Sequence, residues 1–182
     1  MKKSIGLVEF KSIAIGIQAA DVMLKAANVE LILSSPLCPG KYIIIVSGDV
    51  GAIKNAVKEG EKTGGTFTIG SYVIPNAHKD IFPALTATTE YDKIGSLGII
   101  ETMSAIAAIE AGDVAAKAAN VQLLEIRVAR GLGGKGFVLL TGEVAAIKSA
   151  VKACENRLGE SGDVISTVVI SSPSPALVSK LL

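Results

Sequence analysis

The chain reads as an α+β protein made of two successive copies of one β-α-β-β-α-β unit. Three observations carry that reading: an internal repeat, the same order of strand-like and helix-like segments in each copy, and an apolar content drawn from small aliphatic residues. The repeat comes first. "DVMLKAANVEL" (residues 21–31) and "DVAAKAANVQL" (residues 113–123) agree at eight of eleven positions, at an offset of 92. "SIGLVE" from Ser4 and "SLGIIE" from Ser96 keep the same offset. "SGDVGAIKNAVKEGE" (47–61) and "TGEVAAIKSAVKACE" (141–155) stand 94 apart, so the second copy carries two extra residues in the loop between. Two blocks in the same order at fixed spacing mark a duplicated domain. The division is placed at 1–91 and 92–182, with the polar stretch "TATTEYDKIG" (86–95) as linker.

Within the first copy each element has its own signal. "SIGLVEF" alternates as a short strand. "IAIGIQAADVMLKAAN" is helical, with Ile13, Ile17, Ala20, Leu24 and Ala27 at helical spacing and Asn28 as its stop. "VELILS" and "KYIIIVSG" are strands rich in β-branched residues. Between them "SSPLCPGKY" (34–42) reads as a turn. Asp49 is placed to cap a second helix that ends at Gly64 and Gly65. "SYVIPN" is the last strand. This order is the ferredoxin-like split βαβ arrangement, in which two helices cover one face of a four-stranded antiparallel sheet.

Composition narrows the function classes. Of 182 residues 49% are hydrophobic but only 4% aromatic, with no Trp, which suits close helix contacts and makes a poor lining for a large aromatic ligand. Lys plus Arg is 18 against 17 for Asp plus Glu, so nothing points to nucleic acid as partner. A net charge of +1 leaves little self-repulsion to oppose assembly. The N-terminal "MKKSIGLVEF" is too short in apolar residues for a secretory leader, and no run reaches the roughly 18 apolar residues of a membrane span. Cys38 and Cys154 do not make a disulfide framework, so a cytosolic protein with reduced thiols is expected.

The repeated blocks also carry a likeness. "GLVEF…GIQAADVMLKAANVEL…VSGDVGAIKNAVKEG…YVIPNAH" and its second copy resemble the shell domain of bacterial microcompartments (BMC) over nearly the whole chain. Two copies in one chain resemble the tandem, trimer-forming shell proteins, above all those of propanediol-utilisation compartments, because the likeness extends to the loop cysteine. The resemblance implies a structural role and no enzyme activity. It implies a homotrimer forming a pseudohexameric disc, tiling edge to edge with other shell proteins in a shell that lies in the cytoplasm. It places Lys25 and Lys117 near disc edges. It sets one pore loop at Ser35, Pro36, Leu37, Cys38, Pro39 and Gly40, and the other at Arg130, Gly131, Leu132, Gly133 and Gly134. Where the family often has Arg after "VIP", this chain has Asn76 after Pro75, and Ser171 after Ile170. Assembly also has a physical basis: a chain with two like halves closes a ring when its unlike ends meet, and three chains give six pseudo-equivalent positions.

The second copy has no cysteine in the loop matching Cys38; it reads "RVARGLGGKGF" (127–137). A trimer therefore brings three Cys38 thiols toward one axis. Three thiolates do not complete a four-thiolate zinc site, but they hold three irons of a cubane cluster. The resemblance implies the same: one 4Fe-4S cluster per trimer, ligated by Cys38 from each chain, with Pro39 and Gly40 allowing backbone approach. Electron transfer or cluster traffic across the shell would follow, with encapsulated redox enzymes as partners. The alternative is a shell tile with a metabolite pore, no cluster, and Cys38 incidental. A third reading is a tandem ferredoxin-like regulator or enzyme with a cleft between its domains, expected as monomer or dimer.

Other residues have plainer expectations. Cys154 lies on a helix with Ile147 and Val151 and reads as a buried structural thiol. His78 reads as a surface residue. Glu9 and Glu101 match across the repeat and read as structural groups. "GLGGKG" (131–136) lacks phosphate-loop spacing and leads into a strand, so it reads as a glycine turn.

Overall fold

A computed structural model describes residues 3–128 and 131–182. They form two compact units: residues 3–77 with 131–134, and residues 78–128 with 135–182. The compact units part at 77/78, and the 91/92 division placed between the repeated copies lies within the second unit. The short helix that follows residue 77 packs on the second unit, which takes the intervening residues with it.

The first unit runs β1 (Ser4–Phe10), α1 (Ile13–Ala26), β2 (Glu30–Leu37), β3 (Lys41–Gly48), α2 (Val50–Gly64), a 3-10 turn (Gly65–Phe67) and β4 (Thr68–Ile74). Its sheet order is β2-β3-β1-β4, and every pairing is antiparallel. Register is set by the pleat: Ser4 stands opposite Gly48 and Phe10 opposite Tyr42. That puts Val8, Phe10, Ile44 and Val46 in one cluster with Ala19, Ala20 and Met23 of α1 and Ile53, Ala56 and Val57 of α2. At Gly6 a β-carbon would lie 2.7 Å from Val57 Cγ2 and 2.9 Å from Ile53 Cγ2, so a bare backbone lets α2 settle on the sheet.

Three sequence expectations shift. Of the stripe Ile13, Ile17, Ala20, Leu24 and Ala27, which signals the helix, only Ala20 is buried: α1 buries Gly16, Ala19, Ala20 and Met23. Small side chains let α1 and α2 come close, so the core face is the one with least bulk. Asp49 stands at the N-cap of α2 but makes no side-chain capping bond, whereas Ser12 caps α1 by accepting from Ile15 N–H at 3.4 Å. β4 starts at Thr68, before "SYVIPN", and stops at Ile74, because Pro75 has no N–H to offer and Asn76 turns to φ 50°.

The second unit opens with α3 (Ile81–Thr86) and repeats the pattern as β5 (Ser96–Thr102), α4 (Ala105–Ala118), β6 (Val121–Val128), β7 (Gly136–Gly142), α5 (Val144–Leu158) and β8 (Val164–Ile170), then α6 (Pro175–Leu181). Its order is β6-β7-β5-β8, again antiparallel. Ser104 caps α4 by accepting from Ala107 N–H at 3.1 Å. On one face of this sheet Leu97, Leu124 and Leu139 gather with Val178 and Leu181 of α6. Neither α3 nor α6 is anticipated from sequence.

Candidate functional site

The hairpin joining β2 and β3 carries Cys38. Strand pairing continues to Leu37 opposite Lys41, so the turn proper is only Cys38, Pro39 and Gly40. Gly40 N–H donates to Leu37 O at 3.0 Å, and Gly40 sits at φ +85°, a conformation glycine adopts without strain. The Cys38–Pro39 bond is cis. Cys38 is partly exposed. The loop placed from sequence is therefore shorter than expected: Ser35, Pro36 and Leu37 belong to strand β2. Ser35 and Leu37 are buried, and Pro36 is tolerated because β2 is an edge strand. Ser34 is hydrogen-bonded to the Tyr42 hydroxyl at 2.9 Å across the hairpin.

Of the second loop, Arg130 lies outside the described residues. Gly131, Gly133 and Gly134 all stand at positive φ, of 71°, 62° and 94°. Any side chain there would be strained, which accounts for the glycine run. Gly134 groups with the first unit and lies against the cysteine turn, where a β-carbon would come 3.3 Å from Cys38 O. The turn and the glycine loop, some 95 residues apart in sequence, are thus neighbours.

The lysine that follows each loop in sequence makes an ion pair that sequence reading did not foresee. Lys41 Nζ bonds Glu9 Oε1 and Lys135 Nζ bonds Glu101 Oε1, both at 2.9 Å. Glu9 is 1% exposed, so Lys41 takes the place of water beside its carboxyl. Lys135 and then Ser166 donate to Glu101 and hold its carboxyl below the usual value. The signal was available: the two lysines match at the offset of 94 and the two glutamates at 92.

The remaining candidates are dispersed. Lys25 is exposed and bonds Asp21 at 2.6 Å; Lys117 bonds Asp113 at 2.6 Å. Asp113 is nearly buried and also accepts from His78 N–H at 2.8 Å, so the two lysines are not in like settings. His78 is partly buried, with its Nδ1 accepting from Asp80 N–H. Cys154 is fully buried, donates to Ala111 O at 3.2 Å, and has its thiol pushed up to about 12 by burial. That matches an inert core thiol.

As a donor set for iron, one chain offers little. Among the described residues no three His, Cys, Asp or Glu side chains gather to hold a metal. Cys38 fits the task only as a ligand shared between chains: it is a partly exposed thiol at the tip of a short turn, next to glycine backbone.

Two like α+β units of β-α-β-β-α-β order, joined in tandem, define the class. The BMC domain family matches this chain twice, over residues 4–77 and 96–173. Across 97% of its length the chain is 39% identical to the bacterial microcompartment shell protein PduT of Citrobacter freundii, covering 96% of that protein. Over 84 residues, 44% of this chain and 88% of the relative, it is 37% identical to the shell protein PduA of the same organism. The crystal structure of a microcompartment protein from Desulfitobacterium hafniense DCB superposes with a TM-score of 0.93 at 45% identity, covering 98% of this chain and 99% of that one. The chain belongs to the BMC-domain family of bacterial microcompartment shell proteins, with two such domains in tandem.

Proposed function

We propose that this chain is a structural tile of a propanediol-utilisation type of shell, built as a homotrimer, and that it performs no catalysis. Three chains close head to tail about a three-fold axis, giving six like domains in one flat disc. Discs meet other shell proteins along edges near Lys25 and Lys117. The Cys38 turns and the glycine loops line the centre of the disc, and Cys38 from each chain holds one 4Fe-4S cluster there. When bound, such a cluster supplies one-electron transfer, here between enclosed redox enzymes and the cytoplasm. The chain's own part is to present the thiol on a short turn stiffened by Pro39, while Gly40 and Gly134 leave backbone room beside it.

The observation that carries this reading is the asymmetry of two otherwise matching hairpins. Cys38 tips one turn, and the other copy has glycines at positive φ in its place. Ring closure then gathers three thiols rather than six. The test is anaerobic purification followed by sedimentation, iron and sulfide analysis and paramagnetic resonance. A trimer carrying about four irons, lost in Cys38→Ser without loss of the trimer, is expected. A trimer devoid of iron would remove the cluster and leave a metabolite pore in the same ring. A monomer would remove the ring itself.

A further inference from the structure

A cleft of about 220 Å³ opens in the second unit, where residues 87–91, edge strand β6 and the end of α6 come together. Thr89, Tyr91, Leu124, Glu125, Arg127 and Leu181 line it. The Thr89 hydroxyl oxygen is buried and, among the described residues, is the buried side-chain polar atom left without a hydrogen-bond partner. A buried hydroxyl with no partner is destabilising, and native proteins rarely keep one unless water or a ligand completes it.

The rest of the lining constrains what that partner is. Arg127 is already neutralised: its Nε and Nη2 donate to the two Glu125 carboxylate oxygens at 2.7 and 2.9 Å, and its guanidinium lies 5.1 Å from the Phe137 ring centre. An anion would have to compete with Glu125 and a cation with Arg127, so a neutral ligand is favoured. Leu124 and Leu181 belong to the apolar cluster between α6 and the sheet and offer hydrocarbon. Size sets the bounds. The cleft is smaller than the roughly 300 Å³ at which pockets for drug-sized molecules begin, and far larger than the roughly 30 Å³ that one water takes. The duplication supplies a control. Glu125 and Arg127 are matched 92 residues earlier by Leu33 and Ser35, so the shared fold does not require the pair.

We propose that this cleft binds a neutral short-chain alcohol of about three or four carbons, whose hydroxyl pairs with Thr89 Oγ1 and whose chain lies on Leu124 and Leu181. An alcohol and the Thr89 hydroxyl are each both donor and acceptor, so the bond forms in either sense. Tyr91, 42% exposed, adds a second hydroxyl to the lining. Burial of the hydrocarbon chain supplies the attraction, and the completed hydrogen bond supplies the selectivity for alcohol. The site lies wholly within the second unit and does not depend on the ring or the cluster proposed above.

The test titrates propan-1-ol and butan-1-ol into the full chain, with saturation-transfer NMR reading the bound alcohol and with propionate and propylammonium as charged controls. Saturable binding with Kd on the order of millimolar is expected for alcohols this small. Thr89→Val keeps the shape and removes the hydroxyl. It is expected to weaken the alcohols roughly fivefold or more and to raise Tm of the unliganded chain, because the unpaired group is gone. Thr89→Ser keeps the hydroxyl and is expected to stay within about twofold of the native affinity. Circular dichroism checks that both variants fold. A signal that never saturates, tighter binding of either charged control, or unchanged alcohol affinity in Thr89→Val would overturn the site. No binding at all would overturn it too, a fall of Tm in Thr89→Val then assigning the hydroxyl to a structural water.

Discussion

Lys41→Met is expected to cost the protein far more than Lys135→Met, although the two lysines make the same bond in the two copies. Both Nζ to Oε1 distances are 2.9 Å. The difference is water. Glu9 is 1% exposed and Lys41 25%, whereas Glu101 is 34% exposed and Lys135 49%. Glu101 also has the Ser166 hydroxyl as a donor at 3.0 Å. Stripping the partner from a fully buried carboxylate costs about 3–5 kcal/mol, because the remaining charge is neither solvated nor paired. Lys41 is partly wetted and its loss lets some water in, so about 2–3 kcal/mol is expected. For the exposed pair the figure is below about 1 kcal/mol. In a chain of this length each kcal/mol moves Tm by about 2–4 °C, so Lys41→Met should lower Tm by roughly 5–10 °C and Lys135→Met by about 2 °C. Thermal and urea unfolding followed by circular dichroism, at matched protein concentration, measures both. The double variant Lys41→Met with Glu9→Gln should regain more than half of the loss, since a neutral amide needs no cation. Equal losses for the two lysines, or no recovery in the double variant, would refute the buried-charge argument.

Other expectations follow from the same geometry. After iron is removed by a chelator, a thiol reagent at pH 8 should modify one cysteine per native chain and two in denaturant, because Cys38 is partly exposed while Cys154 is buried and its thiol is pushed up to about 12; rapid native labelling of Cys154 would contradict the packing. Gly6→Ala should destabilise by about 1–3 kcal/mol, as the new methyl meets Val57 and Ile53 inside contact distance, and calorimetry would show the fall in Tm. Lys135 and Thr167 are the leading causes that hold Glu101 and Glu155 below the ordinary value of 4.5. Their contribution to stability is then complete above pH 4.5 and lost as pH falls through the lowered folded values. Urea midpoints measured from pH 6 down to 3 should fall less steeply in Glu101→Gln with Glu155→Gln than in the native chain.

Much of the fold was legible because it rests on local patterns. The strand alternation in "SIGLVEF" and the β-branched run in "KYIIIVSG" gave the sheet, and the offsets of 92 and 94 put the two extra residues in the β6–β7 loop, where the structure has them. The Cys38 turn was visible through Pro39 and Gly40, since both residues act on the backbone where they stand. α3 and α6 escaped notice because helices of six and seven residues are too short to show a period, and packing rather than propensity holds them. The Ser35–Pro36–Leu37 segment read as loop because proline is a turn signal; only an edge position permits it in a strand, and edges are set by sheet order.

The sequence by itself determined that the protein is a duplicated β-α-β-β-α-β domain with one cysteine at one hairpin tip, because repetition, periodicity and turn chemistry are all written in neighbouring residues. Only the tertiary structure decided which side of α1 is core, which carboxylate is deprived of water, and that Gly134 lies beside Cys38. Those properties depend on what other segments bring to the same place. α1 is apolar on more than one side, so its sequence permits either face to be buried, and the close fit of Ala19, Ala20 and Met23 against α2 and the sheet selects one. The face left over, with Ile17 at its centre, stays exposed on the chain.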